Sequence, residues 1–537
     1  MVGIYCNILL RYNYFRMSNR KLFKIAGYVG IITILSKIIG LIRDLVIANI
    51  YGTSFVADAY NFAYLLTGNA LILLGGLGGP FHSATIATLT KLKINPKEAG
   101  SFILKILITT FLILLFLTIF ILIFNSPIVQ MIAPGHDLDP TYRLKLWDEI
   151  RNQLIIMSPL IVISGILGIA CGIENVFGGY FFPSFGPAIA SAGIIATIYM
   201  FGGIKSGFAL ALGTTIGAIL QLFIQTPNII RSFVKKELIA CFIKTENTTK
   251  EYYFFLGPAL LSTTIGQLTV YIDGFFCSNL EEGSWTATMF ANRLIQLPLG
   301  VLLTSFLVPF FPKFSELANE KNIEKLKETA LVVIKFLWFL IFPITAYLFL
   351  FSDLIVEIIF QRGAFDARST SLTSGVLLAL IFSMIAYIAR DTLTRVFYSL
   401  GNSKIPLLIA IISIILKILL NSLLVGKYHA AGIALGTTIV TFINFIILDL
   451  LLTRKIGKIG WENHIKSILK MICISLIVYG LGFLSLNIID LNSLSFINKI
   501  ISLSIISILF FSTYFILAVL FKLSEANKIF DEVKSRI

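Results

Sequence analysis

Five ionisable residues stand where the surrounding sequence is apolar. Lys37, Arg43 and Asp44 interrupt the run 25–48, Asp58 opens the next run, and Arg293 lies in Ala291-Asn292-Arg293-Leu294-Ile295-Gln296-Leu297-Pro298 with no acidic neighbour in sequence. A charge inside a membrane-spanning segment costs roughly 2.5–3.5 kcal/mol on insertion scales, so by default it faces a cavity or another charge. Counting 1.5 Å per residue from Ile25, Lys37 lies ~18 Å deep and Arg43 ~27 Å, which puts Lys37 beyond easy snorkelling. Lys37 and Asp44 are seven apart and share a helix face across Gly40, with Arg43 about 100° round. Arg43-Asp44 reads equally well as an ion pair near the outer boundary and as a ligand contact. Lys37 and Arg293 read as cavity cations, whereas Asp58 reads first as a carboxylate complementing a helix N-terminus. Arg390, Asp391, Arg395, Lys105, Lys335, Lys417, Asp449 and Lys470 are expected to pair or snorkel. The interior set is mainly cationic, which suits an anionic substrate such as a phosphate or pyrophosphate group. A proton-coupled exporter would more typically show uncompensated carboxylates.

Enzyme chemistry has little support in the residues. There is no P-loop, HExxH or nucleophile elbow, and His82, His136, His429 and His464 are dispersed among loops and span ends. Cys6, Cys171, Cys241, Cys277 and Cys473 lack CxxC or Cys/His spacing, so neither a disulfide framework nor a zinc site is indicated. No cofactor is expected. Work would come from the membrane potential, about 2.3 kcal/mol per charge per 100 mV, from a coupling ion, or from the substrate's own gradient.

These residues need membrane-spanning elements to position them. The chain has 537 residues, 57% hydrophobic and 13% charged, with a net charge of +15 and a mean hydropathy of +0.91. That composition excludes a soluble domain and leaves no room for a large extramembrane catalytic domain; the basic excess belongs to membrane topology and not to nucleic acid. Apolar runs predict an all-α polytopic membrane protein of about fourteen transmembrane helices near 25–48, 56–80, 100–125, 152–174, 181–203, 207–229, 252–278, 285–311, 329–352, 370–397, 405–425, 429–453, 466–489 and 498–521. With that count, the basic clusters from Arg11 to Lys24, Lys91 to Lys97, Arg231 to Lys250, Lys313 to Lys327, Arg454 to Lys458 and Lys528 to Arg536 share one side, while Arg143, Lys145, Arg151, Lys205, Arg362, Arg368 and Lys427 take the other. The positive-inside rule then places both termini in the cytoplasm. No cleavable signal is expected before the first span, and Met17 reads as an alternative start.

An internal echo organises the spans. Ala211-Leu212-Gly213-Thr214-Thr215-Ile216 recurs as Ala434-Leu435-Gly436-Thr437-Thr438-Ile439, an offset of 223, and Ile128-Val129-Gln130-Met131-Ile132 resembles Ile355-Val356-Glu357-Ile358-Ile359 at a similar offset. Val176-Phe177 and Val396-Phe397 follow suit, and Asp44 has a counterpart in Asp273. The expected organisation is an extension 1–24, an N-lobe of six helices 25–230, a linker 231–251, a C-lobe of six helices 252–456, two further helices 466–521 and a tail 522–537. Parallel repeats of this kind place a substrate site near the midplane between halves and work by rocking.

Ser36-Lys37-Ile38-Ile39-Gly40-Leu41-Ile42-Arg43-Asp44, Ala57-Asp58-Ala59-Tyr60, Ala291 to Gly300 and Arg362-Gly363-Ala364-Phe365 together resemble the MurJ (MviN) family of lipid II flippases, in order and spacing from about Lys21 to Leu452. The resemblance implies the multidrug/oligosaccharidyl-lipid/polysaccharide exporter fold, with a cationic cavity between two lobes and the last two helices forming a groove for the lipid tail. It implies lipid II as partner among membrane lipids, flipped across the bacterial inner membrane by alternating access for peptidoglycan synthesis; the oligomeric state is left open, a monomer being compatible with this reading. Carried over by position, Arg43, Asp44, Asp58 and Arg293 match charged residues the family needs, and Lys37 stands where the family commonly has arginine, keeping the charge but losing the bidentate fork. The family's arginine pair late in helix 2 is replaced by Leu71-Ile72-Leu73-Leu74-Gly75-Gly76-Leu77-Gly78-Gly79-Pro80-Phe81, so either another cation substitutes or backbone amides of Gly75 to Gly79 hold the pyrophosphate. The alternative function within the same fold is ion-coupled export of drugs or another polyprenyl-linked glycan.

Overall fold

Long apolar segments in hydrocarbon satisfy their backbone groups internally, and the computed structural model is accordingly helical, with no strand among the described residues. The structure describes residues 19–75, 79–92, 96–177, 179–201, 207–225, 246–488 and 495–527. Most of the expected extension, the 231–251 linker up to residue 245, and the tail beyond 527 lie outside them. The chain divides into two compact units between Asn279 and Leu280.

The first unit contains α1 (Asn19–Tyr51), α2 (Phe55–Leu73), α3 (Pro80–Leu92), α4 (Pro96–Ile123), the short α5 (Asn125–Ile132), α6 (Pro140–Met157), α7 (Pro159–Val176), α8 (Phe181–Phe201), α9 (Phe208–Gln225) and α10 (Glu246–Cys277). α7 is its centre, buried along most of its length and packed by α2, α3, α4 and α9. Its small residues permit this: a methyl added to Gly168 would lie 2.2 Å from the Leu74 carbonyl oxygen, and one added to Gly172 2.9 Å from the His82 carbonyl. α8 and α9 cross equally closely, Gly193 meeting the Gly217 Cα at 2.5 Å by the same measure. α4 is the opposite case, with Phe111, Leu112, Ile113 and Phe116 exposed as a lipid-facing helix requires.

The second unit contains α11 (Ser284–Leu302), a π-turn at Leu303–Leu307, α12 (Val308–Asn319), α13 (Ile323–Leu350), the short α14 (Ser352–Phe360), α15 (Ala367–Ile381), α16 (Ser383–Ser399), α17 (Lys404–Ile456), α18 (Ile465–Ile488) and α19 (Phe496–Leu520). α17 is a hairpin: at His429 the backbone leaves the helical region (φ 49, ψ −132). Beyond it the arms fold back, Ser413 donating to Asn444 at 3.0 Å. α13 carries the C-terminal pair. Lys335 binds Glu525 at 2.8 Å just past α19, and Lys499 binds Glu357 of α14 at 2.5 Å.

The repeat is visible as chemistry. Thr215 Oγ1 donates to the Ile156 carbonyl at 2.9 Å and Thr438 Oγ1 to the Ala379 carbonyl at 2.7 Å, each bond spanning 59 residues. After the short helices α5 and α14, Asp139 caps α6 through the Thr141 and Tyr142 amides, and Asp366 caps α15 through the Ser369 amide.

Each of the fourteen expected spans centres on a helix, but the count of fourteen is not reached by length and apolarity. Among the described residues ten helices are long and apolar enough to cross a membrane, eleven if α15 and α16, bent by 45°, form one span. α1 and α2 are not among the ten. Lys37, Arg43 and Asp44 put three charges into the central stretch of α1, and Asp58, Asn61, Thr67 and Asn69 dilute the hydropathy of α2. The two arms of α17 count there as one helix.

Candidate functional site

α1 runs on without a break through the charged motif because nothing in Ser36 to Asp44 stops a helix: Gly40 has open space around it and no proline intervenes. Asp44 is 5% exposed. Arg43 reaches back to it, Nη2 2.8 Å and Nε 2.9 Å from the same Oδ1. The ion-pair reading of these adjacent residues is therefore realised, and the guanidinium stays half-buried with Tyr60 and Tyr64 of α2 within electrostatic reach. Lys37, two turns earlier, is also half-buried.

Asp58 is 5% exposed in the first turn of α2, behind the N-cap Ser54, whose side chain makes no capping bond. That is a position where a carboxylate complements the positive end of a helix. Two residues on, the Tyr60 hydroxyl meets Thr214 Oγ1 of α9 at 2.9 Å, joining the Ala57-to-Tyr60 motif to the repeated Gly213-Thr214-Thr215 motif. The Tyr271 hydroxyl of α10 donates to the Leu65 carbonyl at 2.9 Å.

In the second unit, Arg293 of α11 is half-buried with its guanidinium 5.7 Å from the centre of the Phe290 ring. Phe290 in turn packs on Phe360 and Phe365 at 4.8 and 5.7 Å. Phe365 of the Arg362-to-Phe365 motif thus orients α11 by packing, while Arg362 binds the Ile358 carbonyl and lies over Phe496. Of the five expected site residues the structure brings Arg43 and Asp44 into contact. Lys37 and Asp58 belong to the same unit, and Arg293 belongs to the other.

At the glycine-rich end of α2 the Gly75 amide donates to the Leu71 carbonyl at 3.2 Å, so it is not presented to a ligand. A methyl on Gly75 would lie 2.8 Å from the Ser164 carbonyl, which makes close packing on α7 the reason for this glycine. The amides of Gly76 and Gly78 lie outside the described residues.

The expected pairing of the remaining charges holds for most. Lys335 binds Glu525, Arg395 binds Asp391 at 3.1 Å, Asp449 accepts from Trp461 Nε1 at 2.7 Å, Lys470 caps the Phe521 carbonyl at 2.9 Å, and Arg390 lies over Tyr387 at 4.1 Å. Lys417 does not snorkel: it is 2% exposed and donates to the Ile433 carbonyl at 3.2 Å and to the Thr437 hydroxyl. The sequence left pairing and snorkelling both open for it, because the deciding signal, a lysine opposite a threonine across the 405–425 and 429–453 runs, appears only when the hairpin register is known. Cys171 and Cys277 are buried and in no disulfide, and among the described residues no group of three or more His, Cys, Asp or Glu could hold a metal ion.

A family model described as lipid II flippase MurJ matches residues 47–521. The chain is 32% identical over 461 residues to the probable lipid II flippase MurJ of Synechocystis sp., covering 83% of this chain and 84% of that protein. It is 26% identical over 461 residues to the probable lipid II flippase MurJ of Rickettsia prowazekii, covering 85% and 88%. Among solved structures it resembles a lipid II flippase MurJ in an inward closed conformation, with a TM-score of 0.75 at 25% identity over 92% of this chain and 98% of that one. It also shares its fold with a multidrug resistance MATE transporter of the MOP superfamily, with a TM-score of 0.62 at 15% identity.

Proposed function

The chain belongs to the MurJ family of lipid II flippases, and from that premise we propose that Lys37, Arg43 and Arg293 receive the pyrophosphate of lipid II while Asp44 and Asp58 set the charge those cations present. The protein is a lipid II flippase, a multi-pass transporter of the bacterial inner membrane. Its task is physical: a polar, anionic headgroup must cross a layer that charges it several kcal/mol for lost hydration, while the polyprenyl tail stays in hydrocarbon.

Cations on the transport path replace the lost hydration. Arg43 carries five N–H donors, and the Asp44 contact engages Nε and Nη2. Asp44 thereby holds the guanidinium in one orientation and lowers the net charge of the pair, so that an incoming oxyanion is attracted but can leave. Lys37 serves as a point charge, and Arg293, braced against Phe290, as a planar fork. We take both termini to be cytoplasmic on the distribution of Lys and Arg along the chain. An inside-negative potential then favours outward movement of an anion by about 2.3 kcal/mol per charge per 100 mV.

The observation that carries the site assignment is the half-buried Arg43 held on buried Asp44. The test is lipid II binding in nanodiscs, compared with undecaprenyl phosphate and a neutral lipid, for wild type, Arg43→Gln and Arg293→Ala. Charge-assisted hydrogen bonds contribute about 1.5–3 kcal/mol, so each variant should weaken selective lipid II binding roughly ten- to a hundredfold. Equal binding of all three lipids, or affinity unchanged in both variants, would overturn the assignment.

A further inference from the structure

The inner face of the α17 hairpin is a polar ladder in an otherwise apolar helix pair. Its rungs are Ser413 on Asn444 at 3.0 Å, Lys417 on Ile433 and Thr437, and Asn421 against Gly436, where a methyl would lie 2.6 Å from the Asn421 Oδ1. Lys417 and Asn421 are 2% and 0% exposed. The Lys417 ammonium reaches the Ile433 carbonyl at 3.2 Å, and Thr437 Oγ1 shares that carbonyl at 3.1 Å. A carbonyl and a hydroxyl oxygen converging on one buried positive charge, with an amide side chain one turn along the helix, are oxygens of the kind that replace water around an alkali cation.

We propose that the Lys417 ammonium is a tethered monovalent cation, occupying between the two arms of α17 a position whose oxygens would otherwise suit an alkali ion. Being covalently held, it cannot dissociate, so the hairpin is locked at any sodium or potassium concentration. The inference concerns the hairpin and not the transported lipid, and its outcome is independent of the lipid II experiments.

The test uses the full-length protein in nanodiscs, with thermal unfolding followed in choline, sodium, potassium and methylammonium chlorides at equal ionic strength. Wild type should melt at the same temperature in all four. Lys417→Ala, which empties the position but leaves the oxygens, should melt several degrees lower in choline and recover saturably with sodium or methylammonium. Lys417→Met, which fills the space without charge, should not recover with either. Should Lys417→Ala yield no folded protein in choline, it is purified with sodium or methylammonium throughout; folded protein obtained only with such a cation supports the proposal, and none with either overturns it. A wild-type melting temperature that rises in sodium over choline overturns it as well, as does a Lys417→Ala variant that no cation stabilises.

Discussion

Asp44 is nearly inaccessible, and the guanidinium beside it is the charge that compensates it. Removing one member of a buried pair typically costs about 3–5 kcal/mol because the other charge is left in a poor solvent. Arg43→Gln should therefore destabilise the protein in detergent by an amount of that order. Arg43→Gln with Asp44→Asn should destabilise it less than the sum of the two single variants, giving a coupling energy of about 1–3 kcal/mol in a double-mutant cycle of thermal unfolding. The double variant should nonetheless fail to support growth when the host's own flippase is depleted, since stability returns but the cation does not. Additive stabilities would show that the pair is not coupled. At this scale the chain is readable where charge types interrupt apolar runs, and Lys37, Arg43, Asp44, Asp58 and Arg293 stand out for that reason. Lys417 does not, because whether a lysine snorkels or is enclosed depends on what faces it, and Thr437 comes to face it only through the turn at His429.

Helices in a bilayer gain little from apolar burial against each other, so close approach and interhelical hydrogen bonds hold them. Thr215 and Thr438 make equivalent bonds in the two units, to the carbonyls of Ile156 and Ala379. Thr215→Val and Thr438→Val should each lower stability by about 0.6–1.7 kcal/mol, measured by unfolding in mixed micelles. Gly217→Val should do more damage, because a methyl there would sit 2.4 Å from the Ala190 carbonyl oxygen and the backbones of α8 and α9 must separate. A Gly217→Val protein that melts with wild type would refute the close-packed crossing. The six-residue echo in the sequence pointed to this equivalence. Span counting proved less transferable, since α1 and α2 carry charges and polar groups within their apolar runs.

On the scale of the molecule, the C-terminal helix pair is pinned to the rest of the second unit at both ends, through Lys499 to Glu357 and through Lys335 to Glu525. Glu525 lies past the end of α19; burial pushes its carboxyl up, but the Lys335 ammonium and the Ser524 hydroxyl pull harder and leave it below the ordinary carboxylate range. His464, at the start of α18, is pushed down by burial and by the Lys335 charge. Both shifts have one sign. A depressed carboxyl contributes stability that is present above its unfolded pKa and is lost as pH falls through the folded one, and a depressed histidine penalises the fold as pH falls below the imidazole range. Acidification from pH 7 toward 4 should therefore loosen residues 465–525 first, seen as faster amide exchange there than in α7. Lys335→Met should produce that loosening already at pH 7, and unchanged exchange in both cases would remove the pin from this account.

Hydropathy, charge position and the internal echo suffice from sequence alone to establish a polytopic helical protein built from a repeat, and the ordered motifs suffice to place it in its family. Those properties are local, because insertion of a segment and the cost of a charge within it depend on composition over about twenty residues. Which distant groups become partners is decided only by tertiary structure: Tyr60 with Thr214, Lys335 with Glu525, and Lys417 with Ile433 and Thr437. Pairing depends on helix rotation and hairpin register, and the energy of a buried charge changes more with what lies 3 Å away than with anything adjacent in the chain.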